Sequence, residues 1–389
     1  METDIRDALP KLDTHAGFSS ILTGKGKKGQ YLDGNMVSTL NKTIERARKE
    51  KSFNRPILIG TRTQASLIRD DEGILNRNRF KSKTRLVSMI DIEQILVETK
   101  WAKPVQKQMA CVDWYAGGKN DAQIMKHLFH CGNIFTDSVT IDYSHYDQSI
   151  PSWLIRESFD VVKACFAKVD EELFSIMVND FIHKVFIDGK GNLRYASKGV
   201  PSGSMFTQII DSIANRLMIL SYLYSKQYKD YEFEMMIMGD DNIIFTNEAL
   251  DMHELGDFLN RNFGITCHPE KCTQTHGHVA PEFLSRTWTR EGVYRDPLVL
   301  LSKLVAPERY RSYEKSQFTG SFEEKVKYEI MLLIKAYFIS FPKGMRELIS
   351  NDGAYDRAYW SPTISEIARS KMTTGLIQYL AKIEDKYSV

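Results

Sequence analysis

Apolar and polar residues alternate along NIFTDSVTIDYSHYD, residues 133–147, in the way that is typical of a β-strand with one buried face. The apolar positions are Phe135, Val139 and Ile141, and the sequence turns polar after Asp142. Because successive side chains of a strand point to opposite faces, this spacing predicts a half-buried strand. The strand would deliver the carboxylate of Asp142 at its end.

A second segment, EMMIMGDDNIIF (residues 234–245), places two apolar runs on either side of a Gly-Asp-Asp turn. Gly and Asp are both common turn residues, so the segment predicts a β-hairpin with Asp240 and Asp241 at its tip. Two adjacent carboxylates repel each other, and burying either one without a partner is costly. Something is therefore expected to neutralise them.

Other segments carry helical spacing. From about residue 153 to 186 an apolar stripe recurs every three to four positions, which predicts a helical region followed by a hairpin at IDGKGNLRY. PSGSMFTQIIDSIANRLMIL predicts a glycine-containing loop that leads into a helix, and the chain from about residue 291 is predicted to be mainly helical. These elements predict an α+β fold with a helical C-terminal lobe. The residues of the first stripe are Phe159, Val162, Phe166, Val169, Leu173, Ile176 and Met177.

With 389 residues and 42% hydrophobic positions, the chain has an ordinary globular composition and room for two or three lobes. The N-terminal residues lack the apolar core of a secretory signal, and the most apolar segment, IMLLIKAYFISF, is too short to span a bilayer. Five scattered cysteines favour a reducing compartment over a disulfide framework. We therefore expect an intracellular protein with no membrane span.

Charge is distributed unevenly along the chain. Residues 21–110 carry 19 Lys and Arg against 9 Asp and Glu, a local charge of +10 in a chain whose formal net charge is only +2. Such a segment is consistent with a surface that binds phosphates, and equally with a solvated basic face.

Three carboxylates at neighbouring strand ends form an oxygen-rich site suited to hard divalent cations such as Mg²⁺. Two such ions about 4 Å apart stabilise both the attacking and the leaving oxygen in phosphoryl transfer. Cations would offset the repulsion between the adjacent aspartates, although Gly-Asp-Asp alone is also an ordinary turn.

The order of the motifs is more specific than any one of them. TIDYSHYDQ is followed by GVPSGSMFTQIIDSIAN, MGDDN, FGITCHPEKC and EFLSRTW, with NRFKSKTRLV and DTHAGFSSILTGKGKKG upstream. This ordered set resembles the motifs of viral RNA-dependent RNA polymerases of the picornavirus-like group. The residues of the segments DYSHYDQSIP and GVPSGS look most like those of partitivirus and picobirnavirus polymerases. This resemblance implies a virus with a double-stranded RNA genome.

The resemblance implies a right-hand polymerase. Its fingers, palm with an antiparallel sheet and helices, and short helical thumb would be divided as follows: fingers 1–131, palm 132–151, a fingers insertion 152–197, palm 198–290 and thumb 291–389. The implied reaction is template-directed transfer of nucleoside monophosphates from NTPs to an RNA 3′-OH, with release of pyrophosphate, during replication and transcription of a viral genome. Two Mg²⁺ or Mn²⁺ ions would assist it.

Site residues follow from the same resemblance. Asp142, Asp240 and Asp241 match the metal-binding and catalytic carboxylates, and Asp147 matches the residue that senses the ribose 2′-OH. Asp211 stands where many members have Asn; a carboxylate only accepts hydrogen bonds, whereas an amide also donates. Asn215, one turn further along the same helical face, is a candidate to supply that amide.

The remaining matches concern nucleotide and RNA. Basic or flexible residues are implied for NTP binding, a lysine for general-acid catalysis, and further positions for contact with template or primer; Phe283, Leu284 and Trp288 are expected to pack. The NTP-binding residues are Lys83, Arg85, Ser202, Gly203 and Thr207, with Asp147 and Asp211; the general acid is Lys271; the RNA-contacting residues are Gly17, Lys25, Lys27, Lys28 and Arg286.

One cluster lies outside the family pattern. CHPEKCTQTHGH contains two cysteines and three histidines, enough ligands for a zinc site, although its spacing is not that of a standard finger. The candidate zinc ligands are Cys267, His268, Cys272, His276 and His278.

Two other functions stay open at this point. One is a reverse transcriptase, although its catalytic turn usually begins with an aromatic residue, where this chain has Met238. The other is a non-catalytic RNA-binding protein with a polymerase-like fold. The expected partners are RNA template, nascent RNA, NTPs and a viral capsid protein, in the host cytoplasm or inside the virion.

Overall fold

The computed structural model describes residues 14–31, 36–69, 75–276, 282–289 and 292–294. These residues belong to two compact units. The first takes in the chain up to Thr61 and again from Leu86 to Arg290; the second includes Arg62–Arg85 and the short strand Gly292–Tyr294.

The first unit is built on a four-stranded antiparallel sheet. Its strands are β3 (Asp137–Thr140), β6 (Phe233–Met238), β7 (Asp241–Thr246) and β8 (Thr273–His276), in the order β6-β7-β3-β8. Val139 pairs with Ile244 across β3 and β7, and every residue of β7 except Asp241 is buried. The predicted palm sheet is therefore present, with its central strands in the core.

Both predicted carboxylate positions in this sheet are confirmed. β3 ends two residues before Asp142, and β6 and β7 form a hairpin in which Met238 pairs with Asp241. The predicted strand 133–147 is shortened at its start, because residues up to Ile134 belong to a preceding helix.

A second sheet has the order β2-β1-β4-β5. Its strands are β1 (Ile57–Arg69), β2 (Leu75–Met89), β4 (Lys184–Ile187) and β5 (Leu193–Ala196). β1 runs parallel to β4, whereas β4 and β5 are the two antiparallel strands of the hairpin predicted at IDGKGNLRY. Two further short strands, β9 (Glu282–Phe283) and β10 (Arg286–Thr289), also pair antiparallel, and the strand that follows them is β11 (Gly292–Tyr294).

Helices surround the sheets. In chain order they are α1 (Ser19–Thr23), α2 (Lys28–Tyr31), α3 (Met36–Glu50), α4 (Ile92–Met109), α5 (Asp121–Ile134), α6 (Tyr146–Ser149), α7 (Ser152–Ala164), α8 (Glu171–Ile182), α9 (Thr207–Ser225) and α10 (Met252–Phe263), with a 3-10 turn at Pro269–Lys271. The predicted loop-to-helix transition at Thr207 is confirmed.

The helical region predicted over 153–186 consists of two helices, α7 and α8, and it ends earlier than predicted, because Lys184–Ile187 form β4. Asp170 caps α8 by accepting a hydrogen bond from the backbone of Leu173, so a new helix begins there. The apolar period continues across the break because both helices face the same core. There the ring of Phe159 lies 4.9 Å from that of Phe181 and 5.1 Å from that of Phe206.

The predicted thumb, 291–389, lies outside the described residues apart from β11, and the other predicted boundaries remain predictions. Across the part of the chain that the structure describes, no helix combines the length and apolar character needed to cross a bilayer.

Candidate active site

The turn between β6 and β7 holds the first pair of predicted catalytic residues. Gly239 and Asp240 form the turn, and Gly239 has φ of 68°, a conformation that glycine adopts without strain. Its N–H donates to Ser212 Oγ at 2.8 Å, and the side-chain amide of Asn215 donates to the carbonyls of Gly239 and Asp240 at 2.9 and 3.3 Å. Helix α9 therefore fixes the turn from one side.

Asn242 fixes the same turn from the other side. It is 2% exposed on β7, and its Oδ1 accepts a hydrogen bond from Ile141 N at 3.0 Å. Its Nδ2 donates to Ile141 O at 3.3 Å and to Asp240 O at 3.1 Å. One buried amide thus ties the end of β3, beside Asp142, to the turn that carries Asp240.

Asp142 lies on an irregular segment that is held by its backbone. The Asp142 carbonyl accepts a hydrogen bond from His268 N at 3.0 Å, and Ser144 N donates to Thr266 O at 2.9 Å. The side chains of Asp142, Asp240 and Asp241 are all exposed. The site is therefore an open, acidic end of the sheet.

Electrostatics show that the three carboxylates act on one another. Partial burial of the carboxyl, followed by the negative charges of Asp240, Asp142 and Glu282, raises the pKa of Asp241 to about 6. Although Asp241 reaches solvent, neighbouring groups displace part of the water around its carboxyl. A cation bound here would relieve this repulsion.

A third aspartate lies buried behind the turn. Asp211 is 4% exposed on α9, and its Oδ1 has no hydrogen-bond partner among the described residues. Burial, and then the charges of Asp147 and Asp240, raise the pKa of Asp211 well above the usual value of an aspartate. Burial therefore favours the protonated, neutral form of this side chain, and in that form it can donate a hydrogen bond.

Asn215 does not replace the missing amide. Its Oδ1 accepts a hydrogen bond from the hydroxyl of Tyr143 at 2.8 Å, and its Nδ2 is engaged with the Gly-Asp turn. Because both ends of this buried amide are engaged, the structure corrects the suggestion that Asn215 compensates for Asp211.

Asp147 lies on α6, a short helix that begins directly after His145. The backbone of His145 has a positive φ of 50°. Non-glycine residues in this region are uncommon and concentrate at functional sites. The Asp147 carbonyl accepts a hydrogen bond from Val200 N at 2.6 Å, at the start of the loop that precedes α9. The fold therefore brings Asp147 to the loop that contains Ser202 and Gly203.

That loop is packed tightly. A Cβ on Gly203 would lie 1.9 Å from the carbonyl oxygen of Ser88, so only glycine fits, and Ser202 Oγ accepts a hydrogen bond from Ser88 N at 3.2 Å. The hydroxyl of Thr207 lies 2.8 Å from Pro201 O and 2.9 Å from Ser204 O, within donating distance of both. Thr207 thus braces the loop from within.

The predicted RNA-contacting segment near the N-terminus is also packed tightly at Gly17. Gly17 has φ of 81°, and a Cβ there would lie 2.4 Å from Asp91 Cα. Lys25 and Lys27 are exposed, whereas Lys28 is 9% exposed. Lys25 and Lys27 can therefore reach RNA, but the Lys28 side chain points into the protein.

The other predicted site residues are placed as follows. Lys271 is exposed at the end of the 3-10 turn that follows His268. Arg286 forms an ion pair with Asp121 at the start of α5. Lys83 and Arg85 lie on β2 in the second unit; Arg85 is exposed, and the Lys83 side chain is not among those that the structure describes. Their roles remain predictions.

Phe283 and Trp288 are buried, as expected for packing residues. The Trp288 indole N–H donates to Phe283 O at 2.9 Å, so it links the two strands of the β9–β10 hairpin.

The zinc prediction receives no support. His276 pairs with Asp137 at 2.9 Å, a partner outside the predicted zinc set, whereas Cys267 Sγ and Cys272 Sγ lie 3.4 Å from each other. His268 faces Glu270 at 3.3 Å, and His278 lies outside the described residues. In the described ranges, no three His, Cys, Asp or Glu side chains form a complete metal site; this holds for the three aspartates as well.

Several residues that shape the site were not predicted from the sequence. They are Asn242, Ser212, Tyr143 and Glu282. Asn242 had a visible signal, since it is a polar residue within the apolar run NIIF. Glu282 had none, because its effect on the Asp241 pKa depends on the fold.

An antiparallel sheet backed by helices, with aspartates at adjoining strand ends and a glycine loop beside them, defines the palm of a right-hand polymerase. The pattern described as "Viral RNA-dependent RNA polymerase" matches residues 2–332. The chain belongs to this family, as the ordered motifs predicted.

Individual viral proteins are also similar to parts of this chain. The chain is 32% identical over 154 residues to the RNA-directed RNA polymerase of Atkinsonella hypoxylon virus (isolate 2H), covering 37% of this chain and 23% of that protein. It is 26% identical over 201 residues to that of Cryptosporidium parvum virus 1 (strain KSU-1), covering 48% and 36%. A match to the genome polyprotein of Ljunganvirus 1 is 29% identical over 129 residues, covering 32% and 5%. The matches thus span at most 36% of these relatives' lengths.

Solved structures show the same fold. The RNA-dependent RNA polymerase of a human picobirnavirus matches with a TM-score of 0.62 at 14% identity, covering 81% of this chain and 59% of that one. Its insertion-loop deletion mutant matches with a TM-score of 0.58, also at 14% identity, covering 95% and 82%. The predicted right-hand polymerase fold is confirmed.

Proposed function

We propose that the chain is an RNA-directed RNA polymerase that replicates and transcribes a viral genome. The observation that carries the proposal is the placement of Asp142 beside the Gly239–Asp240 turn, both fixed by the buried amide of Asn242. In the reaction, an RNA 3′-hydroxyl attacks the α-phosphorus of an NTP. The new phosphodiester bond replaces the bond to the β-phosphate, and pyrophosphate leaves.

The aspartates fit a site for Mg²⁺ or Mn²⁺. All donors are carboxylate oxygens, they reach solvent, and partial burial together with their mutual repulsion raises the Asp241 pKa. Mg²⁺ is commonly bound by one or two carboxylates together with substrate phosphates, so a complete protein cage is not required. Asp142 and Asp240 would hold the ions, with Asp241 beside them. When bound, two ions stabilise the attacking and leaving oxygens of an in-line phosphoryl displacement.

The protein's own contribution here is rigidity. Asn242 and Asn215 satisfy the backbone carbonyls of the turn, so Asp240 cannot shift without breaking hydrogen bonds to buried amides. Fixed geometry lowers the barrier because the reacting groups need no further ordering.

Ribose recognition is assigned to Asp147 and Asp211. A ribose 2′-OH both donates and accepts hydrogen bonds. Asp147 would accept, and the neutral acid of Asp211 would donate, as the amide of other family members does. Ser202 and Gly203 would contact the nucleotide and template from the loop beside them, with Thr207 bracing that loop.

Charge neutralisation is assigned to basic residues. Lys83 and Arg85 would bind the triphosphate, Arg by bidentate contacts and Lys as a point charge. Lys271 would protonate the departing pyrophosphate, and Arg286 would contact the primer strand. Gly17, Lys25 and Lys27 would contact the template.

RNA, NTPs and a capsid protein are the proposed partners, in the host cytoplasm or within the virion. Binding through Lys and Arg to phosphates makes RNA affinity sensitive to salt.

Primer extension tests the proposal. Wild-type protein should incorporate NTPs on a primed RNA template in the presence of Mg²⁺ or Mn²⁺, and Asp240→Asn should abolish incorporation. Asp257→Asn, an exposed position on α10, is the matched control and should stay active. Preference for dNTPs would indicate a reverse transcriptase instead, and RNA binding without synthesis would indicate a non-catalytic protein.

A further inference from the structure

Glu98 on α4 is completely buried and has no part in the roles described so far. Its Oε2 accepts hydrogen bonds from Ser204 Oγ at 2.7 Å and Met205 N at 2.9 Å, and its Oε1 accepts one from Gln94 Nε2 at 3.0 Å. A buried carboxylate is costly unless it is well hydrogen-bonded. Two of its three donors belong to the loop that carries Ser202 and Gly203.

The same helix holds that loop at a second point. Gln106 lies eight residues beyond Glu98, on the same face of α4, and its Nε2 donates to Met205 O at 3.0 Å. Both backbone polar groups of Met205 are therefore bound to α4. On the other side, Gly203 is packed against Ser88. The loop is clamped between α4 and the end of β2.

The N-terminus of α4 holds the segment predicted to receive the template. Asp91, the N-cap residue, accepts hydrogen bonds from Ser19 N at 2.6 Å and Ser19 Oγ at 3.0 Å, and Ile92 N donates to Ala16 O at 2.9 Å. Lys28 from this segment is attracted electrostatically to Glu98, although burial outweighs that attraction and lowers the Lys28 pKa. One helix thus positions both loops.

We propose that Glu98 is a positioning residue for nucleotide binding. Through Ser204 and Met205 it holds the Ser202–Gly203 loop in the orientation that meets the incoming nucleotide. Through α4, whose N-terminal residues Asp91 and Ile92 bind Ser19 and Ala16, it connects that loop to residues 14–28. The inference rests on the proposed roles of Ser202 and Gly203 in the polymerase reaction.

Ser204→Ala is the first test, because it removes one loop-to-Glu98 hydrogen bond without altering α4. In single-nucleotide incorporation, KM for NTP should rise about tenfold while kcat stays within about threefold, since the chemistry at the aspartates is unchanged. Ser221→Ala, at an exposed position of α9, is the matched control and should behave as wild type.

Glu98→Gln and Glu98→Ala form the second test. Glutamine keeps one side-chain oxygen that can accept the hydrogen bonds from Ser204 and Met205. Its amide nitrogen can donate to the side-chain oxygen of Gln94 if the Gln94 amide rotates. Lys28→Met in the same chain removes the buried lysine charge that the Glu98 carboxylate attracts in the wild-type protein. We expect the Glu98→Gln, Lys28→Met double variant to recover KM to within about threefold of wild type, and Glu98→Ala to remain at least tenfold higher.

The outcomes separate the two levels of the proposal. If the variants only lower the thermal unfolding midpoint and leave KM unchanged well below that midpoint, Glu98 is merely structural and the inference is overturned. If wild-type protein incorporates no NTP, or Asp240→Asn retains activity, the proposed function itself fails, and the inference falls with it.

Discussion

Asp241→Asn should make the metal-free protein more stable while impairing the polymerase reaction. Partial burial, followed by repulsion from Asp240, Asp142 and Glu282, raises the Asp241 pKa from the usual 3.8 to about 6, so the ionised form is disfavoured at neutral pH. Asparagine has nearly the same shape but no charge. The substitution therefore removes the repulsion and keeps β7 intact.

The size of the effect follows from the pKa difference. A shift of about 2 units corresponds to about 3 kcal/mol at about 1.4 kcal/mol per unit, which is an upper bound. Because the Asp241 side chain is exposed, solvent screening reduces the expected gain in unfolding free energy to about 1 kcal/mol. For a protein of this size that corresponds to a rise of about 1 °C in the unfolding midpoint.

The gain in stability from Asp241→Asn depends on pH. The folded protein binds the Asp241 proton more tightly than the unfolded chain, so the ionised carboxylate destabilises the fold fully only above about pH 6. As pH falls through about 6 towards 4, Asp241 is protonated in the folded state and the penalty disappears. The advantage of Asp241→Asn should therefore be present at pH 7.5 and absent at pH 4.

Thermal unfolding in a chelating buffer at these two pH values measures the effect, with Asp257→Asn as the control. Added Mg²⁺ should then raise the midpoint of wild type more than that of Asp241→Asn, because an ion that binds only the folded state stabilises it. A midpoint gain that is absent at pH 7.5, or equally large at pH 4, would refute the electrostatic reasoning.

Three further substitutions test the site in single-nucleotide incorporation and thermal unfolding. Asp211→Asn should keep the preference for NTP over dNTP within about threefold, because an amide donates as the neutral acid does. Asp211→Leu should reduce that preference at least tenfold; an unchanged preference would remove Asp211 from ribose selection. Asn242→Leu leaves buried backbone groups of Ile141 unsatisfied, which costs about 1–3 kcal/mol for each group. It should lower both the midpoint and incorporation, and a variant with wild-type midpoint and rate would contradict the role of Asn242. Gly203→Ala brings a Cβ to 1.9 Å from Ser88 O, so incorporation should fall at least about 30-fold with little change in midpoint. Normal incorporation by Gly203→Ala would show that the loop can move away from Ser88 without loss of activity, and it would contradict this prediction.

Much of the fold was predictable because secondary structure is recorded in short-range spacing. The apolar runs around the Gly-Asp-Asp turn predicted the β6–β7 hairpin, since strand side chains alternate in direction. The same reasoning did not reveal the break at residues 165–170, because the two helices on either side share one apolar period. Periodicity reports which face is buried, but not whether the backbone is continuous.

The sequence by itself determined the class of the protein, the hairpin at Asp240 and Asp241, and the strand that ends near Asp142. Only the tertiary structure decided how buried polar groups are satisfied. Asn215 donates a hydrogen bond to the turn at Gly239 and is not available to a ribose. Lys28 faces inward, and Glu98 binds Ser204, 106 positions away in the chain. The reason is physical: a buried donor or acceptor needs a partner at hydrogen-bond distance, and the partner's place in the sequence is set by packing.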